Sequence, residues 1–179
     1  MDQLGGLNRA TVLVQREVPP LLVGGKRFSI RAYMVVARAD PLLVAWAVNA
    51  SYVGVSHAHY SAGQTNKLAQ VTSAWRTEAA GGGDGAGGWD AGSKAETWQS
   101  LTWLEAQLGA PGLVEQVLQP QILALFQTLV GAAELGRALG GFGILGIDLM
   151  LTPDYELVFM EGNVSVSLPS LLPVWRLRQ

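Results

Sequence analysis

Asp148, Glu161 and Asn163 stand within GIDLMLTPDYELVFMEGNV, two carboxylates and an amide among residues otherwise suited to a core. Carboxylates seldom enter buried strands unless they are paired or hold a metal. The Pro-Asp pair in TPDY marks a turn, so the run reads as a β-hairpin with a loop of about four residues. With that loop Leu151 faces Glu156 and Asp148 faces Phe159. Period-two alternation then sends Asp148, Phe159, Glu161 and Asn163 to one face. Such hard oxygen donors suit Mg²⁺, which binds through one or two carboxylates and takes further oxygens from phosphates. A solvated face with scattered polar residues fits the same alternation equally well.

Arg27, Ser29 and Arg31 also alternate, so they share one face of an upstream strand. Two cations there could hold phosphate or carboxylate groups, and ordinary surface arginines are the plain alternative. His57 and His59 would share a face if they lay on a strand. No third ligand follows at a metal-site spacing, so a loop or surface position is expected for both. GFGILG (Gly141–Gly146) spells the dinucleotide fingerprint, but a helix precedes it and a strand follows, the reverse of what pyrophosphate binding needs. These glycines read as a helix stop with a tight lead into a strand.

The elements that must position these groups come in three blocks. ATVLV (Ala10–Val14), the run FSIRAYMVVARA opening at Phe28, and two short runs in PLLVAWAVNASYVGVS predict an antiparallel meander, with NAS as a turn. EAAGGGDGAGGWDAGS (Glu78–Ser93) is rich in Gly and Ala and has almost nothing to bury. It predicts a disordered insertion over about residues 79–93 and lacks the Lys-Ser/Thr ending of a phosphate-binding loop. In KAETWQSLTWLEAQLG, Trp98, Leu101, Leu104 and Leu108 fall on one helical face before Gly109. In PQILALFQTLVGAAELGRALG, Pro120 suits a first helical turn, and Ile122, Phe126, Leu129, Val130 and Ala133 form a stripe.

The 179 residues suit one domain or a piece of a larger one. Hydrophobic residues make up 49% and charged ones 15%, enough for a sizeable core but few for the outside, as when a face is normally covered. A formal charge of −2 gives no electrostatic case for nucleic acid or an anionic membrane. With no cysteine there is neither a disulfide framework nor a thiolate metal site. The N-terminus has no basic head and long apolar run of a signal peptide, and apolar runs of about eight residues fall short of a bilayer span. A soluble intracellular domain is expected.

Three stretches, VLVQREVPPLLVGGKRFSIRAYMVV, HYSAGQTNKLAQVTS and GILGIDLMLTPDYELVFMEGNVSVSLPSL, together resemble the tubulin-tyrosine-ligase-like family, a branch of the ATP-grasp enzymes. The likeness runs from about Val12 to Leu171, apart from the glycine-rich loop. It implies an α+β fold, the C-terminal region of an ATP-grasp unit, with a mainly antiparallel sheet and flanking helices. It implies a ligase that uses ATP and Mg²⁺ to join glutamate, glycine or tyrosine to a tubulin C-terminal tail by way of an acyl phosphate. The cytoplasm, with cytoskeletal or ciliary association, is the implied location. By the resemblance Asp148, Glu161 and Asn163 are the Mg²⁺ ligands, and Gln15, Arg16 and Val18 lie on the hinge beside adenine. Arg27 stands where the family has a phosphate-side Lys, Arg31 keeps a catalytic Arg, and Thr72 keeps a nucleotide-side Thr.

Departures from the pattern bear on catalysis. Ser29 replaces a carboxylate, Gly54 stands where an Arg holds the incoming amino acid, Ala58 replaces an acid, Ser73 an Asn, and Glu17 a hinge Tyr. The loss of a bidentate Arg is not conservative. The family's nucleotide-binding Lys and glycine-containing phosphate loop would precede this chain, which is expected to be inactive alone. A module that has lost ligation and only binds tubulin or another partner is the competing expectation.

Overall fold

The computed structural model describes residues 14–39, 42–63, 65–70, 72, 98–132 and 142–163. The fold is α+β, with a mainly antiparallel sheet and a helical layer. Its strands are β1 (Leu22–Val23), β2 (Lys26–Ala39), β3 (Leu42–Val55), β4 (Trp98–Ser100), β5 (Phe142–Leu151) and β6 (Leu157–Asn163). The sheet order is β4-β3-β2-β5-β6, every neighbouring pair antiparallel, and β1 pairs with the start of β2. The turn from β1 to β2 is Gly24-Gly25, both at positive φ, which a two-residue hairpin of this hand demands.

β2 shows why the alternating run folds as it does. Phe28, Ile30, Ala32, Met34 and Val36 are buried on one face with Leu145, Ile147, Leu149 and Leu151 of β5. Against that face lie α2 (Leu101–Leu108) and α3 (Gln119–Ala132), which contribute Leu104, Ile122 and Phe126. The other face carries Ser29, Arg31 and Tyr33. A short α1 (Lys67–Gln70) follows β3 in the chain.

Several expectations need correction. The NAS segment is not a turn: β3 runs through it as one strand of 14 residues. The pairing slips there, from Arg31↔Tyr52 to Tyr33↔Val48, so Asn49, Ala50 and Ser51 stand opposite Ala32 alone. Trp98 is not helical. It sits in β4, paired with Gly54, and the helix starts after Ser100, whose hydroxyl accepts from Trp103 N at 3.0 Å. That N-cap separates the periodic leucines from a tryptophan whose spacing matched theirs by coincidence. Gly109 does end the helix, at φ 60°.

Pro120 stands in the first turn of α3, as its type suggests, but no free helix end precedes it. A π-helical segment, Val114–Leu118, runs directly into α3, and Gln119 N bonds to Val114 O. The wider turn comes just before a proline that lacks an N–H to donate. The hairpin loop is also shorter than TPDY. Thr152 and Glu156 close it (Thr152 N to Glu156 O 3.0 Å), leaving Pro153, Asp154 and Tyr155, with Tyr155 at φ 60°. Gly143 and Gly146 lie inside β5 rather than before it. The Ala10–Val14 strand (Val14 excepted), the insertion at 79–93, Ser73, Ala133 and Gly141 lie outside the described residues. Val14 itself is outside any strand.

Candidate functional site

The face of the sheet away from the helices carries one row of aligned residues. Ser100, Tyr52, Arg31, Asp148 and Glu161 are successive partners across β4, β3, β2, β5 and β6. Direct partners in an antiparallel sheet point the same way, so their side chains are neighbours. Arg31 meets Asp148 as a two-pronged pair: Nε donates to Oδ1 and Nη2 to Oδ2. Asn163 Nδ2 lies 3.4 Å from Asp148 Oδ2 and 3.2 Å from Glu161 Oε1, bridging the two carboxylates.

The trio therefore converges, by a different register from the one expected. Leu151 pairs with Leu157 and Leu149 with Phe159, but Asp148 pairs with Glu161. Met160 is the extra residue of a β-bulge. Without a bulge, Met160 would face Asp148 and Glu161 would turn toward the helices. Phe159 consequently does not share the carboxylates' face. It pairs with the buried Leu149, and its ring lies 3.8 Å from the position a Cβ on Gly162 would take.

Arg27 and Ser29 lie farther along β2. The Arg27 guanidinium donates to Gln70 Oε1, lies 3.9 Å from the Met150 sulfur and sits 4.9 Å over the ring of Tyr60. Among the described residues it has no carboxylate partner. Its charge is met by dipoles and a π-face, which leaves it able to attract an anion. Ser29 Oγ and Thr72 Oγ1 share a hydrogen bond of 2.6 Å, which ties the segment after α1 to β2. Tyr60 donates to Glu17 Oε1 at 2.7 Å and so links this region to the extended segment before β1. On that segment Gln15 and Arg16 are exposed and Val18 is half-buried.

Burial pulls the Arg31 pKa down, yet the hydrogen-bonded Asp148 carboxylate, together with Tyr52 and Tyr33, holds the guanidinium above its ordinary value. Arg31 stays charged. Beside it, Tyr33 is fully buried and Tyr52 stacks on Trp98 with ring centroids 4.8 Å apart. Burial pushes both tyrosine pKa values up.

As a cation site the donor set is spare. Asp148 and Glu161 supply carboxylate oxygens, and Asn163 can present its carbonyl instead of its N–H by turning its amide. Among the described residues no three His, Cys, Asp or Glu side chains cluster, so His57 and His59, both exposed, form no such group. Two carboxylates with an amide fit Mg²⁺ that shares its coordination with phosphates. A cavity of about 700 Å³ lies elsewhere, between β3 and the helices, lined by Ala47, Val48, Glu105, Glu115, Ile122 and Leu123 among others. None of the charged groups above reaches it.

Residue patterns alone did not single out Tyr52, Tyr60, Gln70 or Gln121. Gln121 holds the hairpin to α3 by two bonds of 2.8 Å, donating to Tyr155 O and accepting from Leu157 N. Its only visible signal was a polar residue on the inner side of an apolar stripe. In comparisons with known proteins, no family model matches this chain, and no curated protein does.

Proposed function

We propose that the chain carries the phosphate- and Mg²⁺-binding face of an ATP-grasp carboxylate–amine ligase of the tubulin-tyrosine-ligase-like kind. One observation carries the reading: Arg31, Asp148 and Glu161 stand in line across three strands, with Asn163 bridging the carboxylates. Arg27, with no carboxylate partner among the described residues, supports it. Bound Mg²⁺ would neutralise charge on the transferring phosphoryl group, held by Asp148, Glu161 and Asn163. Arg27 and Arg31 would meet phosphate oxygens. In such a reaction a carboxylate oxygen of the acceptor attacks the γ-phosphorus and ADP leaves, giving an acyl phosphate. The amine of the incoming amino acid then attacks the acyl carbon, phosphate departs with the bonding pair, and the amine releases a proton. Tubulin's tail as acceptor, and a cytoplasmic place on the cytoskeleton or cilium, belong to this proposal.

Gly54 favours a second reading, a module that binds without ligating. A Cβ on Gly54 would stand 2.7 Å from the Thr72 carbonyl oxygen, so no side chain fits there while that segment stays in place. By the resemblance, this is the position of the Arg that holds the amino acid.

Calorimetry with Mg·ATP tests the first reading. Binding should require Mg²⁺ and vanish in Glu161→Gln. Binding indifferent to both would end it. Release of phosphate only when glutamate, glycine or tyrosine and a tubulin-tail peptide are present separates ligase from module. Nucleotide binding without that release, also in a version extended by the family's Lys and phosphate loop, selects the module.

A further inference from the structure

Gly146 belongs to a motif that the functional reading leaves unused. It lies mid-strand in β5, buried, where glycine weakens a sheet and usually marks a close approach. The approach is made by Arg31. A Cβ on Gly146 would stand 3.2 Å from Arg31 Cδ and 3.6 Å from Tyr33 Cε1. The bare backbone lets the arginine stem lie flat across β5 and present its fork squarely to Asp148. Both Asp148 oxygens are engaged, and that side chain is only 13% exposed.

This geometry conflicts with a simple metal site. Arg31, Asp148 and Glu161 together carry one net negative charge. A guanidinium hydrogen-bonded to the same carboxylate repels a divalent cation placed there, and at a charge separation of about 5 Å this costs well over tenfold in affinity at the effective dielectric of such sites. We propose that Arg31 competes with a divalent cation for Asp148, with Gly146 as the floor that aims it, so that the metal binds only when a polyphosphate draws the guanidinium away. The choice of polyphosphate rests on the nucleotide reading above. The competition itself rests on Arg31, Gly146 and Asp148 alone. Arg31 here is a positioning residue that withholds a ligand until its anion arrives.

Equilibrium dialysis of the 179-residue chain against Mn²⁺ tests both parts. Mn²⁺ is offered alone and as its preformed complex with a non-hydrolysable ATP analogue. Arg31→Gln should bind Mn²⁺ alone at least about tenfold more tightly than the unaltered chain, because a competing charge is gone. A merely structural arginine would give the opposite, a loss. The gain should disappear in Arg31→Gln combined with Glu161→Gln. Arg31→Gln that binds Mn²⁺ no more tightly than the unaltered chain overturns the competition. Should that variant fail to fold, Gly146→Ala decides by the same readout. It keeps the guanidinium but crowds its stem, and Mn²⁺ affinity should rise by a smaller factor; no rise overturns the proposal. The unaltered chain should take the Mn²⁺–analogue complex at least about tenfold more tightly than Mn²⁺ alone. A tighter Arg31→Gln with no help from the analogue leaves the competition standing and removes the nucleotide reading.

Discussion

Gly54 and Gly131 differ in what surrounds the missing Cβ. At Gly54 an added methyl meets the Thr72 carbonyl at 2.7 Å, a backbone atom that can retreat only if its segment leaves Ser29. At Gly131, near the end of α3, nothing lies within 4 Å. Gly54→Ala should therefore lower stability by about 1–3 kcal/mol, the usual cost of overpacking. Gly131→Ala should raise it by about 0.5–1 kcal/mol through helix propensity. Urea midpoints of the two variants should move in opposite directions. Side chains show the same contrast in legibility. Glu161 and Asn163 could be read as neighbours because alternation is local to one strand, whereas Asp148 faces them only through the Met160 bulge, which alternation does not reveal. Gln70, Tyr60 and Tyr52 could not be read at all, because their partners lie on strands or segments that only tertiary pairing brings near.

At the scale of elements, legibility followed the regularity of the backbone. β2 was readable because Phe28, Ile30, Ala32, Met34 and Val36 repeat with period two over a buried face. Met160 and the Asn49–Ser51 segment were not, since a bulge arises from how two strands accommodate each other and leaves no compositional mark. Trp98 shows the same limit at the border of β4 and α2, where a cap outranked periodicity. The hairpin's hold on α3 gives a prediction at this scale. Gln121→Ala leaves Leu157 N and Tyr155 O without their partner, so stability should fall by about 1–3 kcal/mol. Amide exchange in β6 should quicken more than in β2, and equal quickening would mean that Gln121 does not anchor the hairpin. The β2–β3 pair gives another. Tyr33 keeps its proton more firmly folded than unfolded, chiefly through burial and then through Tyr52. The stabilisation this supplies is complete below the unfolded value near 10 and drains away as pH rises toward the folded one. The urea midpoint should drop above about pH 10, and Tyr33→Phe should flatten that drop.

The whole molecule depends on a strand that arrives late. β2 is bonded along one edge to β3, next to it in the chain, and along the other to β5, more than a hundred residues on. Leu145, Ile147, Leu149 and Leu151 of β5 are core residues without local substitutes. A chain ending at residue 141 should show no cooperative urea transition. A sharp transition in that variant would mean that β1 to β4 and α1 to α3 form a stable unit alone.

During synthesis this arrangement makes the order of emergence matter. A ribosome adding about 5–20 residues per second releases β2 and β3 several seconds before β5 follows. Throughout that interval the edge of β2 opposite β3 has open N–H and C=O groups beside an apolar face, a template for another nascent chain. Arg27 and Arg31, spaced along β2, put like charges against any identical strand that tries to join in register. Asp148 later gives one of those charges its counterpart. The arginine that guards the finished site thus also serves as a gatekeeper while the sheet is incomplete.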